Sequence, residues 1–440
     1  MKIILFVLLA VALIISCSDK KRRSISELES KMNGIAEQYV KLVLETGEYY
    51  PGYVDAYYGP KEWLPTKDTS YEIDSTIINS LNQKTDDLLN KLESLKDYKA
   101  TEIETLRYRF LYKQLLSVKG MILIITGGTF PFDQEAKILY DADPPHFTDD
   151  HFQKILDKLD KLVPGTGNLQ KRVNAFRNNF FIPNDKLDTI ITTAINECRR
   201  RTLKHIVLPP NENFKVEYVK DKPWGAYDWY KGNYFSLIQI NTDLPADIDR
   251  AIGLASHEGY PGHHVFNVLL EKNLVKNRNW VEFSVYPLFS PISLLAEGTA
   301  NYGVNVIFPG NDRTEFERKV LFPLAGLNTA DADLYYKILN LLKELSYAGN
   351  EAARNYLDGK RTKDQTIAYL QKYLLFTKEK AEKRLAFIEQ YRSYVINYNL
   401  GEDIVKNYIE KNGGTIENPE RRWKLFKQLI SLPQTPSELK

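Results

Sequence analysis

The sequence predicts a mainly α-helical protein that contains one small central β-sheet. Apolar residues recur at three- and four-residue spacing over long stretches, which is the period of an amphipathic helix. Only two short runs near the middle of the chain have the character of strands. The composition, with 43% hydrophobic and 26% charged residues among 440, is that of an ordinary folded protein. It excludes a disordered chain, a collagen-like fibre and a polytopic membrane protein.

The N-terminal segment has the pattern of an export signal. Met1 and Lys2 precede an unbroken apolar run from Ile3 to Ile15, which is short for a bilayer span and typical of a secretory signal. The sequence Ile-Ile-Ser-Cys that ends at Cys17 resembles the bacterial lipobox, whose cysteine receives a lipid. We therefore predict a signal peptide over residues 1–17 with Cys17 as the lipidation site, and a polar tether over residues 18–30. The alternative is a plain signal or anchor helix in which Cys17 has no role.

Helical periodicity divides the next part of the chain into five segments. They are Ile25–Leu44, Ile77–Leu95, Glu102–Leu123, Phe152–Leu162 and Leu187–Leu203. The pattern changes after Pro210, and the two runs Val216–Val219 and Tyr234–Asn241 are predicted as strands. Helical periodicity resumes at Pro245 and continues to the C-terminus. We expect a single helical domain over residues 31–440, with a possible division into lobes near residue 208.

Charge and cysteine content exclude further classes of protein. With a net charge of +2, the chain has no basic field for a nucleic acid. Two cysteines cannot build a disulfide framework, and a lipidated Cys17 would leave Cys198 as the only remaining thiol. Cys198 lies in a segment of helical pattern, where a buried and inert thiol is the expected state.

Three of the six histidines fall within one segment, His257-Glu-Gly-Tyr-Pro-Gly-His263-His264. Imidazole is a preferred zinc ligand, so this grouping beside Glu258 indicates a metal site. On an unbroken helix, residue 263 would lie roughly 600° around the axis from residue 257, and residue 264 roughly 10 Å along it. Neither position allows a shared zinc ion, and the helix must therefore be interrupted. Pro261 and Gly262 supply that interruption.

This segment resembles the HExxPGHH motif of a largely unannotated bacterial family that is placed with the gluzincin metallopeptidases. The resemblance implies a zincin-like helical fold with a small sheet beside the active-site helix. It further implies a zinc site in which His257 and His263 are ligands, Glu258 is the general base and His264 lies behind the ligands or faces the substrate. The opposite assignment, with His264 as the second ligand, remains open.

A gluzincin needs a third ligand, a glutamate on a later helix, and the candidate is Glu297. Glu297 lies among apolar and small residues, where an unpaired carboxylate would be costly to bury. The segment Glu297–Tyr302 resembles the EGWAxY element of the family, with Thr299 in place of the tryptophan. Tyr302 thereby becomes a candidate for contact with the substrate or the ligands. An exposed helical position for Glu297 is the alternative.

Two further regions resemble the family less closely. The strand that ends at Asn241 precedes the histidine segment, and in zincins the strand at this place is a sheet edge along which a peptide docks. The asparagine also resembles the family, which makes Asn241 a candidate for contact with the substrate or the ligands. A plain core strand is the alternative. Near the C-terminus, Tyr398 and Gly401 match a Tyr-x-x-Gly element, and Tyr394 and Tyr398 share one helical face. A hydroxyl from either tyrosine is a candidate donor to an oxyanion, although a structural role for these tyrosines is at least as expected.

Together these patterns predict a zinc-dependent metallopeptidase, attached to a bacterial membrane by a lipid on Cys17 and acting on peptides in the cell envelope. We expect export through the general pathway and a location at the outer membrane or the periplasmic face. Two alternatives remain at the level of sequence. One is a lipid-anchored binding protein with a non-catalytic zincin fold, and the other is a zinc hydrolase of non-peptide amides or esters. The sequence leaves the oligomeric state undetermined.

Overall fold

A computed structural model describes residues 25–65, 74–222, 224–243 and 245–439. Within these ranges the protein is mainly helical, as the sequence predicts, and it contains small sheets. The α-helices in chain order are α1 (Glu27–Gly47), α2 (Ser75–Glu93), α3 (Glu102–Ile125), α4 (Phe132–Tyr140), α5 (Asp149–Leu162), α6 (Leu169–Arg177), α7 (Leu187–Thr202), α8 (Asp249–Leu254), α9 (His263–Leu270), α10 (Pro291–Ile307), α11 (Asp312–Phe316), α12 (Phe322–Ala325), α13 (Ala332–Glu344), α14 (Tyr347–Leu357), α15 (Lys363–Tyr373), α16 (Lys378–Tyr391), α17 (Leu400–Lys411) and α18 (Pro419–Leu429).

Five strands form two sheets in the described ranges. They are β1 (Val54–Tyr57), β2 (Asn213–Val219), β3 (Ala226–Tyr230), β4 (Phe235–Asn241) and β5 (Val285–Pro287). Strands β1 and β5 pair with each other, and the second sheet has the order β2-β4-β3. In that sheet β4 is parallel to β2 and antiparallel to β3.

The predicted helices of the N-terminal half are confirmed, with ends shifted by a few residues. Polar side chains cap several of them: the Ser26 hydroxyl accepts a hydrogen bond from the Glu29 amide at the start of α1, and Asp74 caps α2 in the same way. Residues 27–30, the end of the segment predicted as a tether, therefore belong to α1. The predicted signal peptide and Cys17 lie outside the described residues.

Strand β4 occupies the centre of its sheet and not an edge. Its backbone pairs with β2 on one side and β3 on the other, so it has no free edge on which a peptide could add a strand. The expectation that this strand is an edge is therefore wrong. The sequence did not reveal β3, a five-residue strand whose burial does not alternate along the chain, because period-2 alternation is the signal on which strand prediction depends.

The helix that carries the histidine motif begins at Asp249, four residues after the predicted start at Pro245. The residues before it are extended, because Asp247 forms a β-bridge with Phe181 and the Ile182 amide donates to the Ala246 carbonyl at 2.9 Å. These backbone bonds compete with helical ones, and they delay the start of α8.

Helix α10 runs through the protein interior. Nearly all of its residues from Pro291 to Gly303 are buried, which explains the apolar and small side chains in this stretch. Its closest neighbour is α17, since a Cβ atom on Gly298 would lie 2.4 Å from the Gly401 carbonyl oxygen. Across the described ranges, no helix combines the length and the apolar character that a bilayer crossing requires.

Candidate metal centre

The chain between His257 and His263 leaves its helical path. Helix α8 continues into a π-helical turn, Ala255–Gly259, the backbone then breaks at Tyr260, and α9 starts at His263. A Cβ atom on Gly262 would lie 1.8 Å from the His257 carbonyl oxygen, so only glycine fits at this position. The predicted interruption is present. It brings His257 Nε2 to 3.1 Å from His263 Nε2.

Glu297, on α10, completes a group of three side chains. Its Oε2 lies 3.4 Å from His257 Nε2 and 3.8 Å from His263 Nε2. One ligand atom from each of the three residues lies within 4.8 Å of the other two. Two imidazole nitrogens on one tetrahedral zinc would be about 3.3 Å apart, which is close to the separation found here.

The hydrogen bonds around the group leave its ligand atoms available for a metal. Asn301 donates from Nδ2 to the Tyr398 carbonyl at 2.8 Å, and its Oδ1 lies 3.0 Å from His257 Nδ1. This orientation of Asn301 makes His257 Nδ1 the donor, so that Nε2 is the nitrogen that would present a lone pair to a metal ion on losing its proton. Glu297 Oε2 is buried and has no hydrogen-bond partner in the described ranges. The donor set and the unpartnered oxygen fit a zinc ion.

Charge at the centre favours a cation between the three side chains. Burial lowers the pKa of His263 to about 4, so its ring is neutral at physiological pH. Burial also disfavours a charge on His257, but the neighbouring carboxylates of Glu297 and Glu258 outweigh it and raise its pKa to about 9, so that in the absence of a metal ion the ring carries a proton. The two carboxylates thus favour a positive charge at the centre, and a divalent metal ion would supply it in place of the proton on His257.

Glu258 lies beside the three candidate ligands with its carboxylate free. It is 6% exposed and makes no hydrogen bond with the described residues. A cavity of about 10 Å³ adjoins it, lined mainly by apolar side chains that include Ile191, Ile195 and Phe214. Burial raises the pKa of Glu258 to about 7, against the opposing charge of His257. A carboxylate with a pKa near 7 is well matched to accepting and returning a proton at neutral pH.

His264 points away from the candidate ligands into a buried polar network. Its Nε2 lies 3.0 Å from Glu212 Oε2 and its Nδ1 lies 2.9 Å from Ser236 Oγ. Glu212 also accepts hydrogen bonds from the Tyr260 hydroxyl at 2.8 Å and from Arg199 at 2.7 Å. The network ties α9 to the central strand of the sheet and to the backbone break. The sequence contained no periodic or motif signal for Glu212 or Ser236.

The two tyrosines from the C-terminal region reach the same centre. The Tyr394 hydroxyl donates to Glu297 Oε1 at 2.8 Å, which orients that carboxylate with Oε2 toward the histidines. The Tyr398 ring lies 5.7 Å from the Tyr394 ring, measured between centroids. The charge of Glu297 acts on both hydroxyls, and burial raises the pKa of each well above its ordinary value. Both tyrosines therefore remain protonated donors.

Two other candidates lie away from the centre. Asn241 closes a loop, since its Nδ2 donates to the backbone carbonyls of Lys222 and Trp224 at 2.9 and 3.0 Å. Tyr302 is buried, and its surrounding charges belong to α17 and α18. The residue of this segment that contacts a candidate ligand is Asn301, which lies next to Tyr302 in the chain and beside His257 in the fold. The prediction of such a contact for Tyr302 is therefore not met. The signal that could have found Asn301 is its position four residues after Glu297, on the same helical face.

Comparisons with known proteins found similar folds among solved structures and no similar sequence. No protein-family model matches the sequence, and no curated protein matches it. A crystal structure of a candidate lipoprotein from Colwellia psychrerythraea is similar with a TM-score of 0.52 and 15% identity, over 86% of this chain and 69% of that one. This likeness shows a shared fold alone.

Two further solved structures are less similar. A candidate lipoprotein of unknown function from Shewanella oneidensis has a TM-score of 0.44 and 13% identity, over 80% of this chain and 72% of that one. The M32 carboxypeptidase from Deinococcus radiodurans R1 has a TM-score of 0.42 and 11% identity, over 93% of this chain and 94% of that one. At these scores neither structure assigns a role to any residue of this chain.

Proposed function

We propose that the protein is a zinc-dependent hydrolase that cleaves peptide bonds and is held at a bacterial membrane by a lipid on Cys17. The observation that carries the catalytic part is the meeting of His257, His263 and Glu297 around one point, with the free carboxylate of Glu258 beside them. The proposed attachment to a membrane depends on the resemblance of the segment at Cys17 to a lipobox. The fold shared with a candidate lipoprotein is consistent with that attachment.

In this proposal His257, His263 and Glu297 would hold the zinc ion, and three protein ligands are the number typical of catalytic zinc sites, which leave room for water or substrate. A bound zinc ion would lower the pKa of a water molecule and polarise the scissile carbonyl. Glu258 accepts the proton of the attacking water and returns it to the nitrogen of the leaving amine, so the peptide bond breaks into a carboxylate and an amine. The pKa of about 7 lets one carboxyl group serve both steps.

The surrounding side chains position the reacting groups. Tyr394 holds Glu297 through Oε1, and Asn301 fixes the tautomer of His257. The Tyr398 hydroxyl is not needed for either task, and we assign it to the oxyanion that develops on the scissile carbonyl oxygen. His264 acts behind the ligands, where its bonds to Glu212 and Ser236 keep the segment after the break in place.

The free carboxylate of Glu258 distinguishes this proposal from the non-catalytic alternative. A purely structural zinc site closes all four positions with protein ligands and has no use for an unpaired acid next to them. The test is an unbiased peptide-library digest, read by mass spectrometry, with and without a chelator. We expect cleavage that the chelator abolishes and added zinc restores. Cleavage of simple esters or amides with no cleavage of peptides would overturn the peptide assignment and leave the hydrolase assignment standing.

A further inference from the structure

Arg384, on α16, has no acidic partner in the described ranges. Three other arginines that are withdrawn from solvent hold a carboxylate: Arg107 with Glu282, Arg313 with Glu317 and Arg354 with Glu351. A fourth, Arg422, holds two backbone carbonyls. The guanidinium of Arg384 instead lies over the Phe387 ring, 5.0 Å from its centroid, and its side chain is half-buried. A ligand can therefore reach a cation that no acidic side chain of the described residues neutralises.

The position of Arg384 connects it to the candidate metal centre. Phe387 follows three residues later on the same helical face, and its ring centroid lies 6.4 Å from that of Tyr398 and 6.5 Å from that of Tyr394. Tyr394 in turn binds Glu297. The hydroxyl of Tyr398 is influenced by the charges of Glu297, Arg384 and Glu258 together. Arg384 is thus linked to the candidate metal centre through Phe387 and the two tyrosines.

The surroundings make the charge of Arg384 costly without a ligand. Burial lowers the pKa of the guanidinium, which shows that its charged form is disfavoured there. Lys380 lies one helical turn earlier, and two like charges at this spacing destabilise a helix. A planar guanidinium matches a carboxylate with two parallel hydrogen bonds, so a carboxylate ligand would relieve both costs.

We propose that Arg384 binds the free C-terminal carboxylate of the substrate, so that the enzyme removes residues from the C-terminal ends of peptides. The inference rests on the peptidase function proposed above. An extended chain of one to three residues spans roughly 3 to 11 Å. The Arg384 guanidinium lies 5.0 Å from the Phe387 ring centroid, which lies 6.4 Å from that of Tyr398, so a chain of this length can reach from one to the other. The cleaved bond then falls within the last few residues of the substrate.

An amino-terminal site is the competing arrangement, because acidic side chains also approach the centre. Asp228 is one of them, but both of its carboxylate oxygens are enclosed and without partners, and burial raises its pKa well above its ordinary value. A neutral, enclosed carboxyl group gives little attraction to an ammonium group. Asp55 lies nearby, and burial raises its pKa to about 7. The unpaired cation therefore offers the stronger contact for a chain end.

The test uses two peptide libraries of identical random sequence, one with free C-terminal carboxylates and one with C-terminal amides. We expect the zinc-loaded enzyme to trim the free-acid library from its C-terminal ends and to cleave the amide library at least tenfold more slowly. Arg384→Gln should raise KM for the free-acid peptides by more than tenfold, change kcat little, and remove the preference for the free-acid library over the amide library. Lys372→Met is the control, because it removes a cation that lies over a different ring, that of Tyr373. It should change neither KM nor kcat for the free-acid peptides.

Each other outcome has a distinct meaning. Equal cleavage of both libraries overturns the role of Arg384 and leaves the peptidase function intact, as does an equal loss on both libraries in Arg384→Gln. A third library carries acetylated N-termini. If acetylation prevents cleavage and C-terminal amidation does not, the enzyme recognises the amino terminus and the role of Arg384 is overturned. If neither library is cleaved, the proposed function fails and the inference fails with it.

A binding measurement separates recognition from turnover. Calorimetric titration of the Glu258→Gln variant with N-acetylphenylalanine, and with its amide, should show at least tenfold tighter binding of the acid. Adding Arg384→Gln to that variant should remove the difference. Equal affinity for the acid and the amide before that change would contradict the proposal.

Discussion

At the scale of single residues, Glu258 is the proposed acceptor and donor of the transferred proton. Replacement by glutamine keeps the shape of the side chain and removes its ability to accept a proton. We expect Glu258→Gln to lower kcat by roughly a hundredfold to ten-thousandfold without loss of bound metal. Turnover of a library-derived peptide, measured together with the zinc content of the same preparation, checks this prediction.

Asn301 is expected to act on the metal through His257. Because it fixes the tautomer and the ring orientation of that histidine, Asn301→Ala should weaken zinc binding by roughly tenfold to a hundredfold. Competition with a chromophoric chelator measures the affinity. Asn305→Ala, one turn further along α10, is the matched control, and it should bind zinc as the wild type does. If the wild type and both variants bind zinc with equal affinity, Asn301 does not support the metal site.

Asp228 should make the stability of the fold depend on pH. Burial raises its pKa well above the ordinary value of 3.8, so folding takes up a proton once the pH exceeds that value. Its contribution to stability is complete below the unfolded pKa and is lost as the pH rises toward the folded pKa. Asp228→Asn should therefore melt at a higher temperature than the wild type at pH 8, with the difference fading toward pH 4. Parallel melting curves across this range would contradict the assignment.

At the scale of secondary-structure elements, the placement of Glu297 depends on the close approach of α10 and α17. A methyl group on Gly401 would lie 2.7 Å from the Leu294 carbonyl oxygen, so Gly401→Ala should destabilise the protein by about 1–3 kcal/mol through overpacking. Gly253→Ala is the control, because a methyl group there meets nothing within 4 Å and alanine favours a helix. Denaturant unfolding compares the two variants, and a stable Gly401→Ala protein would refute the tight contact.

The helices were predictable from sequence because each carries its own periodic signal. Segments such as Leu187–Thr202 and Glu102–Ile125 show an apolar face and need no distant partner to be recognised. The strands were harder, because β1, β3 and β5 have three to five residues each and exist only through pairing with distant parts of the chain. The start of α8 was misplaced for the same reason, since the backbone before it pairs with residues near 181.

The candidate site was predictable where the chemistry lies within one segment. His257, Glu258 and His263 stand in seven consecutive residues, and geometry on a helix already required the break between them. Asn301 and the network of Glu212, by contrast, become visible only when helices and strands distant in sequence come together. Arg384 gave no signal of its own, because the absence of an acidic partner is a property of the fold and not of the sequence.

At the scale of the whole molecule, the fold encloses a candidate metal centre within a mainly helical protein that contains small sheets. The N-terminal segment is expected to fix its location. Cys17→Ala should move the mature protein from the membrane fraction to the soluble fraction, because the lipid would be lost. Mass spectrometry of the wild-type N-terminal peptide should detect the lipid, and an unmodified Cys17 in the membrane fraction would exclude this anchor.

The central claim, that this chain is a zinc peptidase which uses Glu258 as its base, has one direct measurement. Wild-type and Glu258→Gln proteins, each assayed for zinc, are incubated with the same peptide library before and after removal of the metal. We expect one zinc ion per chain in both proteins, and peptide cleavage by the zinc-loaded wild type that is at least roughly a hundredfold faster than that by zinc-loaded Glu258→Gln. Cleavage by the metal-free wild type, or equal cleavage by zinc-loaded Glu258→Gln, would contradict it.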